Sequence, residues 1–124
     1  MWIFEQSSGR LYQDTDPETV FLSYAGHADG KNNPDLQHVA NVGPIPIGFY
    51  EVGPPYESPN NGPYVLRLTP APENEMHGRA GFLIHGDSRA KPGSASHGCV
   101  VTSRPARQSV WLSGERQLKV IRGA

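Results

Sequence analysis

Glycine and proline punctuate this chain too densely for a helical bundle. Fourteen glycines and twelve prolines are spread along 124 residues. Proline removes a backbone donor and glycine weakens helix interiors, so such a chain reads as short strands joined by turns. Trp2 to Glu5, a Ser7-Ser8-Gly9 turn and Leu11-Tyr12-Gln13 predict an opening hairpin, and Val20 to Tyr24 a third strand. Residues 25–47 read as a long irregular loop with a helical turn near Pro34 to Val39. Strands are expected over Gly48 to Val52, Tyr64 to Leu68 and Gly81 to His85, with a polar loop over Tyr56 to Pro63 and a polar, exposed segment over Pro70 to Ala80. Near the C-terminus Ser103 is a helix cap with Pro105 in the first turn. A helix from Arg104 to Leu112 ends by Gly114, and Gln117 to Ile121 forms a last strand. The expectation is one mainly β domain over residues 1–124, with a single short helix.

Composition excludes several functions. The net charge is -1 with no run of like charges, so a basic face for nucleic acid is not expected. No apolar stretch approaches the ~20 residues that cross a bilayer, so membrane insertion is not expected. The N-terminal residues show no secretory signal, which predicts synthesis in the cytoplasm. One cysteine forms no internal disulfide and makes a Cys-rich zinc site implausible.

That cysteine sits in the most informative stretch. His85-Gly86-Asp87-Ser88 ends an apolar run, and Ser96-His97-Gly98-Cys99-Val100 follows. A free thiol has a pKa of ~8.5, so a nucleophilic cysteine near neutral pH needs a base. His85 precedes Cys99 by fourteen positions, and a loop between two strands folds both side chains into one cleft. Gly98 leaves room for a substrate carbonyl and exposes successive N–H groups as an oxyanion hole. Either histidine alone reads as an ordinary structural or loop residue. Together with the only cysteine they point to acyl transfer rather than to a metal site, and neither metal nor cofactor is expected.

Ser96-His97-Gly98-Cys99-Val100 with His85-Gly86 upstream resembles the signature of the YkuD-like L,D-transpeptidases: a His, a loop, then Ser/Thr-His-Gly-Cys and an apolar residue. Gly43-Pro44-Ile45-Pro46-Ile47-Gly48-Phe49-Tyr50 is similar to that family's Thr-Pro-x-Gly-x-Tyr/Phe stretch, and the resemblance spans about residues 40 to 122. His-Gly-Asp-Ser, Gly-Ser-Ala-Ser and the compact length look most like the L,D-transpeptidase effectors of type VI secretion. Two departures stand out. The first arginine after the cysteine is Arg104, and Gly86 stands where some relatives have Ser, so a third triad member would be a backbone carbonyl near Gly86.

The resemblance implies an L,D-transpeptidase-like β-sandwich and a peptidoglycan tetrapeptide donor. It implies that Cys99 attacks the carbonyl between meso-diaminopimelate and terminal D-Ala, His85 moves the proton, and a thioester remains. Water, a D-amino acid or a second stem peptide then gives carboxypeptidase, exchange or transpeptidase activity. The catalytic set so implied is Cys99, His85, His97 and Gly86, with Gly98, Ser96, Asp87, Arg104 and Tyr50 as substrate or oxyanion contacts. Arg79 and Arg89 are further candidates for a substrate carboxylate, but read first as solvated surface residues. Tyr24 and Tyr56 are candidate cleft residues. The expected setting is the periplasm of a target cell, with an immunity protein and a secretion-tube or spike component as partners. The competing reading is a non-catalytic module of the same fold that binds peptidoglycan or protein. A papain-like protease fits less well, because there the cysteine precedes the histidine.

Overall fold

A computed structural model describes residues 1–123 of the chain. Ten strands form one mixed, continuously hydrogen-bonded array in the order β3-β2-β1-β10-β5-β7-β8-β9-β4, with β6 beside β7. The strands are β1 (Trp2–Glu5), β2 (Arg10–Gln13), β3 (Asp16–Leu22), β4 (Tyr24–Ala25), β5 (Gly48–Val52), β6 (Tyr56–Ser58), β7 (Gly62–Pro70), β8 (Leu83–His85), β9 (Val100–Val101) and β10 (Gln117–Ile121). One α-helix, α1 (Arg104–Leu112), lies between β9 and β10. The protein is mainly β, as the turn-rich sequence predicts.

The opening hairpin forms as expected. Gly9, with φ of 76°, turns the chain, and its N–H meets Glu5 O at 2.9 Å. β1 then pairs antiparallel with β2 and parallel with β10, Trp2 facing Leu118 and Glu5 facing Ile121. Its alternation sends Trp2 and Phe4 into the core while Ile3 and Glu5 stay half-buried. The core extends from these residues through Leu11, Leu66, Ile84 and Val110 to Leu118.

β7 joins the two halves of the array. Its last residues, Leu68 to Pro70, pair with β5, Leu66 and Arg67 pair with β8, and its N-terminal part pairs with β6. The chain bends at Tyr64, whose φ is 57°. Its carbonyl, turned out of the ladder, accepts from Arg107 Nε at 2.9 Å.

Helix α1 matches its expected bounds. The Ser103 hydroxyl accepts from Ala106 N at 3.2 Å, and the helix stops before Gly114, whose φ is 80°. Ala106, Arg107 and Val110 form its buried face.

Three segments differ from expectation. Tyr56–Ser58 is strand rather than loop, because Pro59, Asn60 and Asn61 make the turn of a hairpin with β7, in which Ser58 faces Gly62. Gly62 has φ of 83°, and Asn61 N donates to Ser58 Oγ at 3.2 Å. The third strand begins at Asp16, and Tyr24–Ala25 leaves it to pair with β9 in the other half of the array. The stretch before β8 is polar but not wholly exposed. Asn74 bonds both backbone groups of Phe49 (Oδ1 from N at 3.1 Å, Nδ2 to O at 2.8 Å) as a neighbouring strand would, and Arg79 is 8% exposed. Residues 25–47 hold two 3-10 turns, Ala28–Gly30 and Pro34–Leu36.

Candidate active site

β8 and β9 are parallel neighbours, with Ile84 opposite Val100 and His85 opposite Val101. The connection between them must therefore cross back to the start of β8, and it returns Cys99 to the entrance of β9. Cys99 stands two positions before His85's partner Val101. Cys99 lies in a bend just outside β9, and the sulfur and the imidazole line separate cavities rather than the single cleft expected.

His85 is buried at the end of β8. Its Nδ1 lies 2.8 Å from Gly86 O. A carbonyl only accepts, so Nδ1 carries the proton and Nε2 is left with its lone pair. Burial, reinforced by the Arg107 charge and opposed by Gly86 O and Asp87, holds the ring below the ordinary histidine value. It is neutral at pH 7, the form a base requires.

Cys99 is half-buried, with Sγ 3.9 Å from Gly81 O. Burial pushes its pKa up, while the N–H groups of Leu83 and Cys99 itself and the Arg79 charge favour the thiolate. At neutral pH the resting sulfur is a thiol. Cys99 lines a cavity of about 300 Å³ with His97, Arg79, Phe82 and Asn41. His85 lines another of about 360 Å³, with Gly86, Asp87, Ser88 and Asn61.

Ser96 organises the turn before the thiol. Its buried hydroxyl donates to Cys99 O at 2.6 Å and accepts from Gly26 N at 2.9 Å and Gly98 N at 3.0 Å. A hydroxyl has one proton and two lone pairs, so all are used and Ser96 holds the turn rather than substrate. The same bond engages the Gly98 N–H that sequence reasoning assigned to an oxyanion. The donors beside the sulfur are Leu83 and Cys99 N–H. Leu83 was missed because a backbone group leaves no mark in the sequence.

Asp87 also serves the loop. Its carboxylate accepts from Tyr24 OH at 2.6 Å, Ser88 N at 2.8 Å and Gly93 N at 3.0 Å. Desolvation raises its pKa, but these bonds outweigh it and hold the carboxyl below the usual range. Tyr24, which also accepts from Ala95 N at 2.9 Å, is pushed up to about 12 by burial and by Asp87.

The remaining candidates scatter. Tyr50 is buried in the core, its hydroxyl donating to Pro46 O at 2.7 Å, so it supports the Gly43–Gly48 stretch instead of contacting substrate. Arg104 is exposed over the Tyr64 ring, in a cleft of about 540 Å³ shared with Gly86, Asp87 and Arg107. His97 is exposed, and its ring meets that of His27 edge-on at 5.1 Å between centroids. Arg89 is exposed. Tyr56 lies under Arg67, in a separate cleft with Glu51 and Pro54. Among the described residues no group of three His, Cys, Asp or Glu side chains is placed to hold a metal, and no helix is long and apolar enough to cross a membrane.

Two guanidinium groups are buried: Arg107, which sequence reasoning missed, and Arg79, which it named but read first as a solvated surface residue. Arg107 donates to the carbonyls of Tyr64, Thr102 and Pro63, and a Cβ on Gly86 would stand 3.0 Å from its Nη1. The glycine after His85 is where that guanidinium packs. The other is Arg79, which faces the thiol's cavity. A buried arginine whose partners are backbone carbonyls leaves no signal in the sequence, which is why the burial of neither was foreseen.

These features define a mainly β protein with a neutral histidine at the end of β8 and its only thiol just before the parallel neighbour β9. The chain belongs to the Tlde1 domain family, whose sequence model matches residues 19–122. The family is one of type VI secretion effectors that modify peptidoglycan. In fold the chain is similar to the structure of Bdellovibrio bacteriovorus Bd1075, at 15% identity and a TM-score of 0.61. The likeness covers 99% of this chain and 48% of that one, so the chain spans about half the length of that protein. No curated protein matches it.

Proposed function

We propose that this protein is a cysteine L,D-transpeptidase or L,D-carboxypeptidase that acts on the tetrapeptide stem of peptidoglycan. The observation that carries the reading is the tautomer of His85: with Nδ1 committed to Gly86 O, Nε2 is free to accept a proton. The nucleophile is Cys99, in the bend that leads into the adjoining strand β9. As its sulfur bonds to the carbonyl carbon before the terminal D-Ala, the thiol proton passes to Nε2. The tetrahedral oxygen draws on the N–H groups of Leu83 and Cys99. Collapse breaks the C–N bond, His85 returns the proton to the departing amine, and a thioester remains. Water then releases a tripeptide, a D-amino acid gives exchange, and a second stem gives a cross-link. Membership of the family supports a role as a type VI effector with an immunity protein in the producer, and the proposed site of action is the periplasm of the target cell.

Mass spectrometry of defined tetrapeptide muropeptides tests this. Wild type should release D-Ala, and Cys99→Ala and His85→Ala should each lower the rate by at least about 10³-fold. Turnover by Cys99→Ala at the wild-type rate would overturn the assignment. In a target cell, toxicity should require export to the periplasm and vanish with Cys99→Ala.

One observation favours a second reading. The hydrogen bonds of His85 and Cys99 run to separate backbone carbonyls, and the two side chains line different cavities. A binding module of the same fold would show this too. It would retain stem peptides without converting them, and Cys99→Ala would bind them as wild type does.

A further inference from the structure

Arg79 is a buried cation whose hydrogen bonds are all to backbone carbonyls. Nη1 donates to Gln37 O at 2.7 Å and Pro44 O at 3.0 Å, and Nη2 to Gly43 O at 3.0 Å and His97 O at 3.2 Å. The two Nη atoms carry four hydrogens and all four are engaged, so no bidentate pair of Nη donors is left for a substrate carboxylate. No carboxylate pairs with it either, since the ion pairs among the described residues involve the Met1 amine and Arg122. Its charge acts within the cavity it shares with Cys99, against the Phe82 ring 5.1 Å away.

We infer that Arg79 is a positioning residue for Cys99: a fixed guanidinium that clamps the His97-Gly98 turn onto the Gly43-Pro44 segment and places a positive charge beside the sulfur. Gly98, with φ of 143°, bears this out, because a Cβ there would stand 2.5 Å from Arg79 Nη2. The motif's glycine is thus the surface on which the guanidinium rests. The charge opposes the burial that raises the thiol's pKa. The other titratable groups near this pair are His97 in the same cavity, His85 on the adjacent strand and the Tyr50 hydroxyl, which faces Arg79. The role rests on Cys99 being the reacting group proposed above.

The test is the pH dependence of Cys99 alkylation by iodoacetamide in the whole chain, where the only cysteine makes the signal unambiguous. Arg79→Gln should move the alkylation midpoint up by about one pH unit, a roughly tenfold loss of thiolate below it. Arg79→Lys keeps the charge and should stay within about 0.3 unit of wild type, although it melts lower for want of the fork. A folded Arg79→Gln with the wild-type midpoint would overturn the inference. Should Arg79→Gln fail to fold, Gly98→Ala decides. It retains the cation but displaces it, so an upward shift supports the role and an unchanged midpoint refutes it. An enzyme that alkylates as expected but releases no D-Ala would sink the enzymatic reading alone.

Discussion

At His85 and Cys99 two opposite pKa shifts arise mainly from one cause, burial. Desolvation disfavours the charged form of each, so at neutral pH the imidazole and the thiol both rest uncharged, and in the proposed mechanism the proton moves as substrate arrives. Because the histidine titrates below its ordinary value of about 6.5, the base form is lost only when pH falls through that lowered value. The acid limb of kcat/KM should therefore have its midpoint below about 6.5, and a midpoint above it would show that the base is a different group. The shift also links to stability. Below about pH 6.5 the unfolded chain takes up a proton that folded His85 resists, so stability falls as pH drops towards the folded value. His85→Gln should flatten that limb of a urea-denaturation series. The thiol and the imidazole stood out as candidates in the sequence because they are chemically distinctive, but the separate cavities they line were not legible there. Ser96, Gly98 and Asp87 were legible as a motif but not in their roles. A hydroxyl with every valence filled by backbone is indistinguishable in sequence from one that faces substrate.

Elements hold these residues in register. The 86–98 connection is anchored by one buried phenol and one carboxylate: Tyr24 bridges Asp87 and Ala95, and Asp87 gathers Ser88 and Gly93. Tyr24→Phe should destabilise the protein by about 1–2 kcal/mol, the worth of a hydroxyl bonded to a charged partner. It should also raise hydrogen exchange across residues 88–95. Unchanged exchange there would mean that the loop is held from elsewhere. Ser103→Ala should cost about 1 kcal/mol through the lost cap on α1, read as a lower urea midpoint at constant m. Elements with local signals were found in the sequence: the capped helix to the residue, β5 and β10 by their apolar runs between turns. β6 was missed although Pro59, Asn60 and Asn61 mark its turn, because its residues are polar and its pairing depends on β7. The inward turn of Asn74 and Arg79 was not legible at all. Their partners are carbonyls and amides from β5 and the 37–44 segment, and backbone groups are the same for every sequence.

At the scale of the molecule, β7 is the shared member. It borders β5 in one half and β8 in the other, so the half that carries His85 and Cys99 shares a strand with the half that carries β1 and β10, and one cooperative unit is expected. Leu66→Ala, at a fully buried position in this strand, should cost about 2–5 kcal/mol and lower one common transition rather than split it. Fluorescence and circular dichroism midpoints that separated would show two independent units. The mainly β class was readable from turn density, but the order of strands was not, since parallel pairings such as β1 with β10 join residues more than a hundred positions apart.

That parallel pairing has a mechanical meaning. Traction on the chain from either side of residues 2–121 drags β1 and β10 past one another lengthwise, loading their rungs together instead of unzipping them in turn. A motor that threads polypeptides from an end would meet its steepest resistance at this seam.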